Sequence, residues 1–258
     1  MRVIKLPFNA GSLKHKNGLE QAPGAIQDAV KQFYMNESGF LPMLDFEDVG
    51  VDNSNIDGSH AMIENKIASV EHFSAVLGGD HSVTMSSFKG FARNKQNPGL
   101  IVFDAHPDLM ESFGTHEDYL RTLIEKGDLK PSNVILVGLR NAHSQELSYM
   151  KQKGIKSFSM KELAQEGLQD SCDAIMAAAR DFSDLYVSID IDVLDPAFAP
   201  GVSYREPGGL SVRELLYFVH RLKNLKNWRM ADIVEVNVLR DVSGLTVKAG
   251  AKVLVELA

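Results

Sequence analysis

Leu100-Ile101-Val102-Phe103 leads directly into Asp104-Ala105-His106-Pro107-Asp108 near the middle of the chain. The apolar run predicts a strand that is buried on both faces of a parallel sheet. Alternate residues of an extended chain share one face, so Asp104, His106 and Asp108 can point the same way. They follow the carboxyl end of the strand, where open α/β sheets place their sites. Such groups repel one another and lose hydration unless a cation binds them, so the stretch predicts a metal site.

The composition is that of a folded protein without a nucleic-acid or membrane-binding surface. Of 258 residues, 44% are hydrophobic and 24% charged, and the formal net charge is −7. The one cysteine, Cys172, excludes an internal disulfide and a cysteine-based zinc cluster. Residues 1–7 lack the features of a signal peptide, and no window holds roughly eighteen consecutive apolar residues. These features predict a cytoplasmic protein whose partner is a small molecule, with no nucleic acid and no membrane.

Strands and helices alternate along the whole sequence. Strands are predicted at residues 2–6, 74–77, 100–103, 134–137, 155–158, 185–189 and 230–236. Helices are predicted at 23–33, 61–72, 83–94, 117–126, 146–153, 160–166, 171–181, 211–222 and 246–257, and a loop at 49–58. This alternation predicts right-handed βαβ units and a parallel sheet covered on both faces. Since no linker or repeat interrupts it, residues 1–258 are expected to form one domain.

Polar side chains gather at four predicted strand ends: 78–82, 104–108, 188–195 and 235–237. Because the carboxyl ends of parallel strands lie on one edge of the sheet, these groups are expected to meet there. Asp190 and Asp192 repeat the spacing of Asp104 and His106, so both pairs can face one side. The candidate metal ligands are four carboxylates and two imidazoles: His81, Asp104, His106, Asp108, Asp190 and Asp192.

Oxygen and nitrogen donors without a thiolate suit Mn²⁺, and suit Zn²⁺ or Fe²⁺ less specifically. Six side chains exceed what one ion with an open position needs. Two ions about 3.5–4 Å apart, bridged by carboxylates, would use them all and leave room for a bridging hydroxide. The donor set therefore predicts a binuclear site that activates water at neutral pH.

Structural roles compete with chemical ones at several polar positions. An isolated aspartate at a strand end is often a helix N-cap, which is the alternative for Asp80 and Asp195. Gly78-Gly79 lacks the Lys-Ser/Thr pair of a phosphate-binding loop, so that function is rejected. Three histidines are expected to be surface or hydrogen-bonded core residues: His60, His72 and His220.

Three blocks of sequence resemble the signatures of the ureohydrolase family, which comprises arginases, agmatinases and formimidoylglutamases. They are Gly78-Gly79-Asp80-His81-Ser82, Asp104-Ala105-His106-Pro107-Asp108 and Ser188-Ile189-Asp190-Ile191-Asp192-Val193-Leu194-Asp195-Pro196. Their order and spacing match the family over most of the chain. The resemblance implies a three-layer α/β/α sandwich with a central parallel sheet, two Mn²⁺ per subunit, and a homotrimer or homohexamer.

The same resemblance implies a role for each site residue. One ion would be held by His81, Asp104, Asp108 and Asp190, and the other by Asp104, His106, Asp190 and Asp192. A hydroxide bridging the ions would attack the guanidinium or amidine carbon of the substrate. Asp108 would orient this nucleophile and pass its proton to the leaving amine. Glu235 matches the carboxylate that pairs with the guanidinium group.

The segments that would read the rest of the substrate match no single subfamily. His143 stands where arginases place an acid, and the loop after Asp108 is shorter than theirs. Residues 195–201 resemble agmatinases, whereas Val202-Ser203-Tyr204-Arg205 leans toward formimidoylglutamases. Arg205 is expected either to pair with a substrate carboxylate or to lie on the surface.

Another departure concerns the group that carries protons. Agmatinases tend to have His, and formimidoylglutamases Asn, where this chain has Phe113. His116 lies nearby and supplies an imidazole that can act as the proton shuttle, the alternative being a solvated residue at a helix start.

The leading hypothesis from the sequence is a manganese-dependent hydrolase of a linear C–N bond in a guanidino compound. It would release urea and an amine, with an agmatine-like substrate ahead of arginine. The alternative is an amidine hydrolase of the formimidoylglutamase type, which releases formamide. A further alternative is a metal-binding oligomer without catalysis.

Overall fold

An eight-stranded sheet runs through the computed structural model, which describes residues 1–111 and 114–258. The strands are β1 (Arg2–Lys5), β2 (Asp45–Asp48), β3 (Ser74–Leu77), β4 (Gly99–Phe103), β5 (Val134–Leu139), β6 (Lys156–Ser159), β7 (Leu185–Asp190) and β8 (Trp228–Val234). Their order is β2-β1-β3-β8-β7-β4-β5-β6, and every pair is parallel. The predicted parallel sheet is thereby confirmed.

Nine α-helices accompany the sheet in the described ranges. They are α1 (Ala22–Val30), α2 (Ile56–Ala68), α3 (Val83–Ala92), α4 (Tyr119–Glu125), α5 (Ser144–Lys153), α6 (Met160–Glu166), α7 (Leu168–Ala179), α8 (Val212–Leu222) and α9 (Leu245–Leu257). In the part of the chain that the structure describes, no helix combines the length and the apolar character needed to cross a membrane.

Two separate hydrophobic cores lie on the two faces of the sheet. Successive residues of one strand go to opposite cores, as Ile101 and Phe103 do on one side and Leu100 and Val102 on the other. The first core is closed by residues of α1 and α6–α9, and the second by residues of α2–α5. Because side chains of a strand alternate between faces, two cores require helices on both sides. This arrangement confirms the three-layer α/β/α fold.

The strand order determines where the site can lie. β3 and β4 follow each other along the chain, yet β8 and β7 separate them in the sheet. Such a change of direction leaves a crevice at the carboxyl edge, where open α/β sheets bind their ligands. The four central strands, β3, β8, β7 and β4, therefore bring together the four segments in which the sequence places its polar residues.

The sequence prediction is wrong at residues 45–58. β2 was not predicted, and α2 begins at Ile56, inside the expected loop. β2 is an edge strand of sequence Asp45-Phe46-Glu47-Asp48 and is largely exposed, so it lacks the apolar run that marks a buried strand. The start of α2 is set by Asn55, whose side chain accepts from the Gly58 backbone N–H at 3.1 Å.

Candidate metal centre

The two aspartate motifs form the same local turn at the ends of neighbouring strands. After β4, Asp104 Oδ1 accepts from the backbone N–H of His106 at 2.7 Å. After β7, Asp190 Oδ1 accepts from the backbone N–H of Asp192 at 2.8 Å. Aspartate favours such turns because its short side chain reaches the amide two residues ahead. One oxygen of each carboxylate is thus fixed to the backbone, which leaves the other oxygen to face the centre.

The first cluster of ligands surrounds His81, which follows β3 and is fully buried. Its Nδ1 lies 3.1 Å from Asp104 Oδ2, 3.1 Å from Asp108 Oδ2 and 3.2 Å from Asp190 Oδ2. Two of these buried atoms, His81 Nδ1 and Asp104 Oδ2, have no hydrogen-bond partner among the described residues. Unpaired polar atoms are costly in a protein interior, and here a shared cation would satisfy them.

The second cluster surrounds His106. Its Nδ1 lies 3.1 Å from Asp192 Oδ2 and 3.5 Å from Asp104 Oδ1. The donor atoms of Asp104, His106 and Asp192 lie close enough together to hold one ion, as do those of His81, Asp104 and Asp108. Asp104 belongs to both groups and offers a different oxygen to each histidine. All six predicted ligands therefore meet at one edge of the sheet, in two clusters that share Asp104.

Hydrogen bonds behind His81 assign its tautomer. Ser188 Oγ donates to Asp232 Oδ1 at 2.6 Å, so the same oxygen accepts from His81 Nε2–H at 2.9 Å. The Tyr119 hydroxyl also lies 3.1 Å from Nε2. With its proton on Nε2, the ring presents the lone pair of Nδ1 to the cluster, as a metal-binding imidazole must. The residues present therefore fit a bound cation.

Burial and mutual repulsion make the cluster unfavourable in the metal-free protein. Burial and the charge of Asp104 raise the pKa of Asp108 to about 7. Burial, followed by the charges of neighbouring aspartates, also raises the pKa values of Asp190 and Asp192. A divalent cation would offset this repulsion, because an opposite charge favours the ionised carboxylates.

Two residues of the site have backbone angles that L-amino acids rarely adopt. φ is +52° at Asp108 and +64° at Glu235. Such conformations persist only where the surroundings enforce them, and they concentrate at functional sites. The Glu235 backbone N–H donates to Gly79 O at 2.8 Å, and a Cβ on Gly79 would lie 1.8 Å from Phe8 O. Glycine is therefore required where the loop after β3 passes the segment that follows β1.

Glu235 and His116 form a second buried group beside the ligands. Glu235 Oε1 accepts from the His81 backbone N–H at 2.9 Å and lies 3.0 Å from His116 Nδ1. The other atoms of these groups, Glu235 Oε2 and His116 Nε2, are buried without a hydrogen-bond partner among the described residues. Burial opposes the charge on His116, but the Glu235 carboxylate raises the pKa of the imidazole to about 9.

A cavity of about 370 Å³ opens onto both groups. Its lining includes four predicted ligands, the Glu235–His116 pair and a set of residues from the surrounding loops: Met110, Glu117, Asn141, Ala142, His143, Glu146 and Tyr204. The Tyr204 ring is stacked on His116, with centroids 6.1 Å apart, and its hydroxyl donates to Glu117 Oε1 at 2.8 Å. This cavity can hold a small substrate with its reactive carbon next to the metal ligands.

Several open alternatives are resolved by the contacts. Asp80 does not cap α3: its carboxylate accepts from the backbone N–H groups of Gly11 and Ser82. Asp195 likewise binds loop amides, those of Ala197 and the glycines at 208 and 209. Arg205 is exposed, lies outside the cavity lining and donates to Pro200 O at 2.6 Å, which favours its surface role. Phe113 lies outside the described residues.

Sequence reasoning missed several residues that shape the site. Asp232 is fully buried and accepts from three hydroxyl groups, those of Thr84, Tyr186 and Ser188. An aspartate with two apolar residues on either side, in a predicted strand, is a signal that could have identified it. Tyr204 and Glu206 come from an irregular loop, where no periodicity shows which side chains turn inward.

Comparisons with known proteins agree with this geometry. A model of the Arginase family matches residues 1–258. The chain is 32% identical to a formimidoylglutamase of Halalkalibacterium halodurans, over 98% of this chain and 84% of the relative. It is 27% identical to an arginase of Bacillus subtilis, over 99% of this chain and 96% of the relative.

The fold agrees equally well with a solved relative. The crystal structure of formimidoylglutamase from Bacillus subtilis matches with a TM-score of 0.94 at 28% identity, covering 99% of this chain and 85% of the other. The ureohydrolase resemblance predicted from the three sequence blocks is thereby confirmed. The chain belongs to the arginase family and is a hydrolase that acts on C–N bonds.

Proposed function

We propose that the protein is a manganese-dependent hydrolase that cleaves a linear guanidino C–N bond and releases urea and an amine. One observation carries this proposal. Two clusters of buried carboxylate and imidazole donors share Asp104 and open onto a cavity lined also by Glu235, whose Oε2 has no hydrogen-bond partner in the described part of the chain. A donor set rich in carboxylates and without sulfur suits Mn²⁺, and suits Zn²⁺ or Fe²⁺ less specifically.

In this proposal the two ions would be held by different parts of the cluster. His81, Asp104, Asp108 and Asp190 would bind one ion, and Asp104, His106, Asp190 and Asp192 the other. When bound, such a pair lowers the pKa of water and supplies a nucleophile at neutral pH. The donor distances to His81 and to His106 support this division.

Glu235 would bind the planar cationic group of the substrate. Its Oε1 is held by the His81 amide and by His116, whereas Oε2 is free to accept an N–H of the substrate. Burial opposes the charge of this carboxylate, but His116 and the His81 amide lower its pKa. A carboxylate that stays ionised in a buried cavity attracts a guanidinium and orients it through charge-assisted hydrogen bonds.

Asp108 and His116 would handle protons. The Asp108 carboxylate lies in the His81 cluster and lines the cavity, so it can take a proton from water and pass it to the leaving nitrogen. His116 lines the same cavity, and its buried Nε2 has no hydrogen-bond partner among the described residues. The imidazole can therefore receive or supply a proton at this atom and exchange it through the cavity.

The charge of the cavity favours a substrate with a cationic tail, such as agmatine. Beyond the predicted ligands and Glu235, the lining contains the carboxyl groups of Glu117 and Glu146. Among the described lining residues there is no arginine or lysine. A tail with two carboxylates would meet repulsion there, because like charges in a partly desolvated site oppose binding.

Formimidoylglutamate is the second candidate, because relatives with that activity in their names match nearly the whole chain. Its carboxylates would need cations at the mouth of the cavity. Lys14 Nζ lies 5.9 Å from the centre of the ring of Tyr204, a residue that lines the cavity. This candidate therefore predicts that the substrate tail points toward residues 13–16.

A substrate panel tests the proposal. Protein reconstituted with Mn²⁺ is incubated with agmatine, arginine, guanidinobutyrate and formimidoylglutamate, and urea and formamide are measured separately. We expect urea from agmatine and no formamide. Formamide from formimidoylglutamate alone would replace the first candidate by the second, and no turnover of any compound would favour the metal-binding oligomer.

We also propose that the protein is a homo-oligomer. Five large apolar side chains are exposed between α1 and β2: Tyr34, Met35, Phe40, Leu41 and Met43. Clustered exposed apolar residues are typical of protein interfaces. Light scattering is expected to give a multiple of the 28.4 kDa chain, and a Phe40→Ser, Leu41→Ser variant a smaller mass. A wild-type mass of one chain would contradict this proposal.

A further inference from the structure

We propose that Glu206 is a positioning residue for the second metal ion, an inference that rests on the proposed binuclear site. Its carboxylate faces the ring nitrogen of His106 that points away from the cluster: Glu206 Oε1 lies 3.6 Å from His106 Nε2. The other ring nitrogen, Nδ1, faces Asp192 and Asp104. Glu206 would thus fix the ring orientation that presents Nδ1 to the ion.

A metal-binding imidazole almost always donates its outer N–H to a carboxylate, a backbone carbonyl or water. When Nδ1 of His106 binds an ion, the remaining ring proton is on Nε2 and needs an acceptor. A carboxylate at that position fixes the tautomer, holds the ring and makes it a stronger ligand. Within the described part of the chain, Glu206 is the one carboxylate within 4.0 Å of Nε2.

The Glu206 carboxylate is itself held in place. Asn141 Nδ2 donates to Glu206 Oε1 at 2.8 Å, and that oxygen has a second lone pair for His106. Asn141 is the second residue after strand β5, and Arg140 lies between them. The position of the carboxylate is therefore tied to the sheet rather than to the loop alone.

Arg140 fixes the backbone of the same loop. Its guanidinium donates to Glu206 O at 3.0 Å from Nε and at 2.8 Å from Nη2. It also donates to the carbonyl oxygens of Asp192 at 2.6 Å and of Leu194 at 3.2 Å. One rigid cation therefore joins the segment that carries a metal ligand, Asp192, to the segment that carries Glu206. A solvated surface glutamate would have no need of this support.

His106 depends on such a partner more than His81 does. The His106 side chain is 20% exposed, whereas that of His81 is fully buried and bonded to Ser188. A partly exposed ring without a fixed acceptor would lose the orientation that the second ion needs. We therefore expect Glu206 to affect the second ion and to leave the first unchanged.

Manganese titration of protein from which a chelator has removed all metal tests this inference. Free Mn²⁺ is followed by electron paramagnetic resonance in wild type, Glu206→Ala and Glu206→Gln, and the exchange-coupled signal of the ion pair is recorded. We expect Glu206→Ala to raise the dissociation constant of the second ion by about 10–100-fold. The dissociation constant of the first ion is expected to stay within error of the wild-type value. Glu206→Gln keeps an acceptor without the charge and is expected to fall between the two.

Glu117→Gln is the matched control, because Glu117 is a carboxylate of the cavity that His106 also lines, but it bonds to Tyr204 instead of a metal ligand. If Glu117→Gln lowers the affinity for the second ion as much as Glu206→Gln does, the effect comes from the loss of a negative charge near the site in general, and the inference is wrong. An unchanged second constant in Glu206→Ala would also overturn it, while the proposed binuclear site would stand. A wild-type protein that binds no Mn²⁺ would overturn both.

Discussion

The two histidines of the centre are supported in opposite ways. His81 is buried, and its outer nitrogen contacts Ser188 of β7 and Tyr119 of α4. His106 is partly exposed, and its outer nitrogen faces Glu206, which lies in an irregular loop. Groups on strands and helices are held more rigidly than groups on loops. We therefore expect the His81 side to bind its ion more tightly, and the His106 side to respond more to changes in its loops.

The largest effect is expected where the two sides meet, at Asp104. Asp104→Ala removes the carboxylate that both clusters share, so both ions are lost and turnover falls to background. Plasma emission after dialysis measures the metal content. Asp190→Ala is expected to do the same, because the family resemblance makes that residue the other bridge. Asp195→Ala is the control, an aspartate of the same loop that binds backbone amides. Near-normal metal content in both cluster variants would contradict the shared-ligand geometry.

Asp108→Asn should separate binding from catalysis on the His81 side. An amide oxygen can still approach the ion, but it cannot accept a proton at neutral pH. Loss of such a proton-transfer group costs about 10²–10⁴-fold in rate. We expect a kcat reduced by that amount, with at least one ion retained by plasma emission. Turnover close to wild type would exclude Asp108 as the proton carrier.

Ser188→Ala tests whether the buried support of His81 matters as much as the loop support of His106. The variant removes the oxygen that accepts from His81 Nε2. In the same manganese titration, the affinity for the first ion is expected to fall by about 10–100-fold, and the affinity for the second ion to stay unchanged. This pattern is the mirror image of that expected for Glu206→Ala. Equal weakening of both ions would mean that the two sides are not independent.

The contrast between residues on strands and residues on loops also explains which parts of the structure could be predicted from the sequence. Every predicted ligand follows a strand whose apolar run marks it as buried, so its place at the sheet edge could be deduced. The strand β2 has no such run and was missed, because an edge strand pairs on one side and tolerates acids such as Glu47. Glu206 and Tyr204 lie between glycines and prolines, where side-chain direction depends on contacts with distant segments such as Arg140.

The smallest expected effect concerns His116, a loop residue that contacts the buried side through Glu235. Its pKa is raised from 6.5 to about 9 by the Glu235 carboxylate, against the opposing effect of burial. The folded protein thus holds a proton that the unfolded chain releases above pH 6.5, and this stabilises it. The contribution is complete below pH 6.5 and is lost as the pH rises through about 9.

The Tm of the metal-free protein, measured in the presence of a chelator over a range of pH, tests this contribution. A buried charge-assisted hydrogen bond contributes about 1.5–3 kcal/mol. His116→Gln should therefore lower the Tm below pH 6.5 and approach the wild-type curve above pH 9, where the imidazole is neutral in both states. Chelation matters because bound cations would disfavour the protonated imidazole nearby. A Tm difference that stays constant across this pH range would show that His116 contributes through packing against Tyr204. In that case the charge of the imidazole would not stabilise the folded protein.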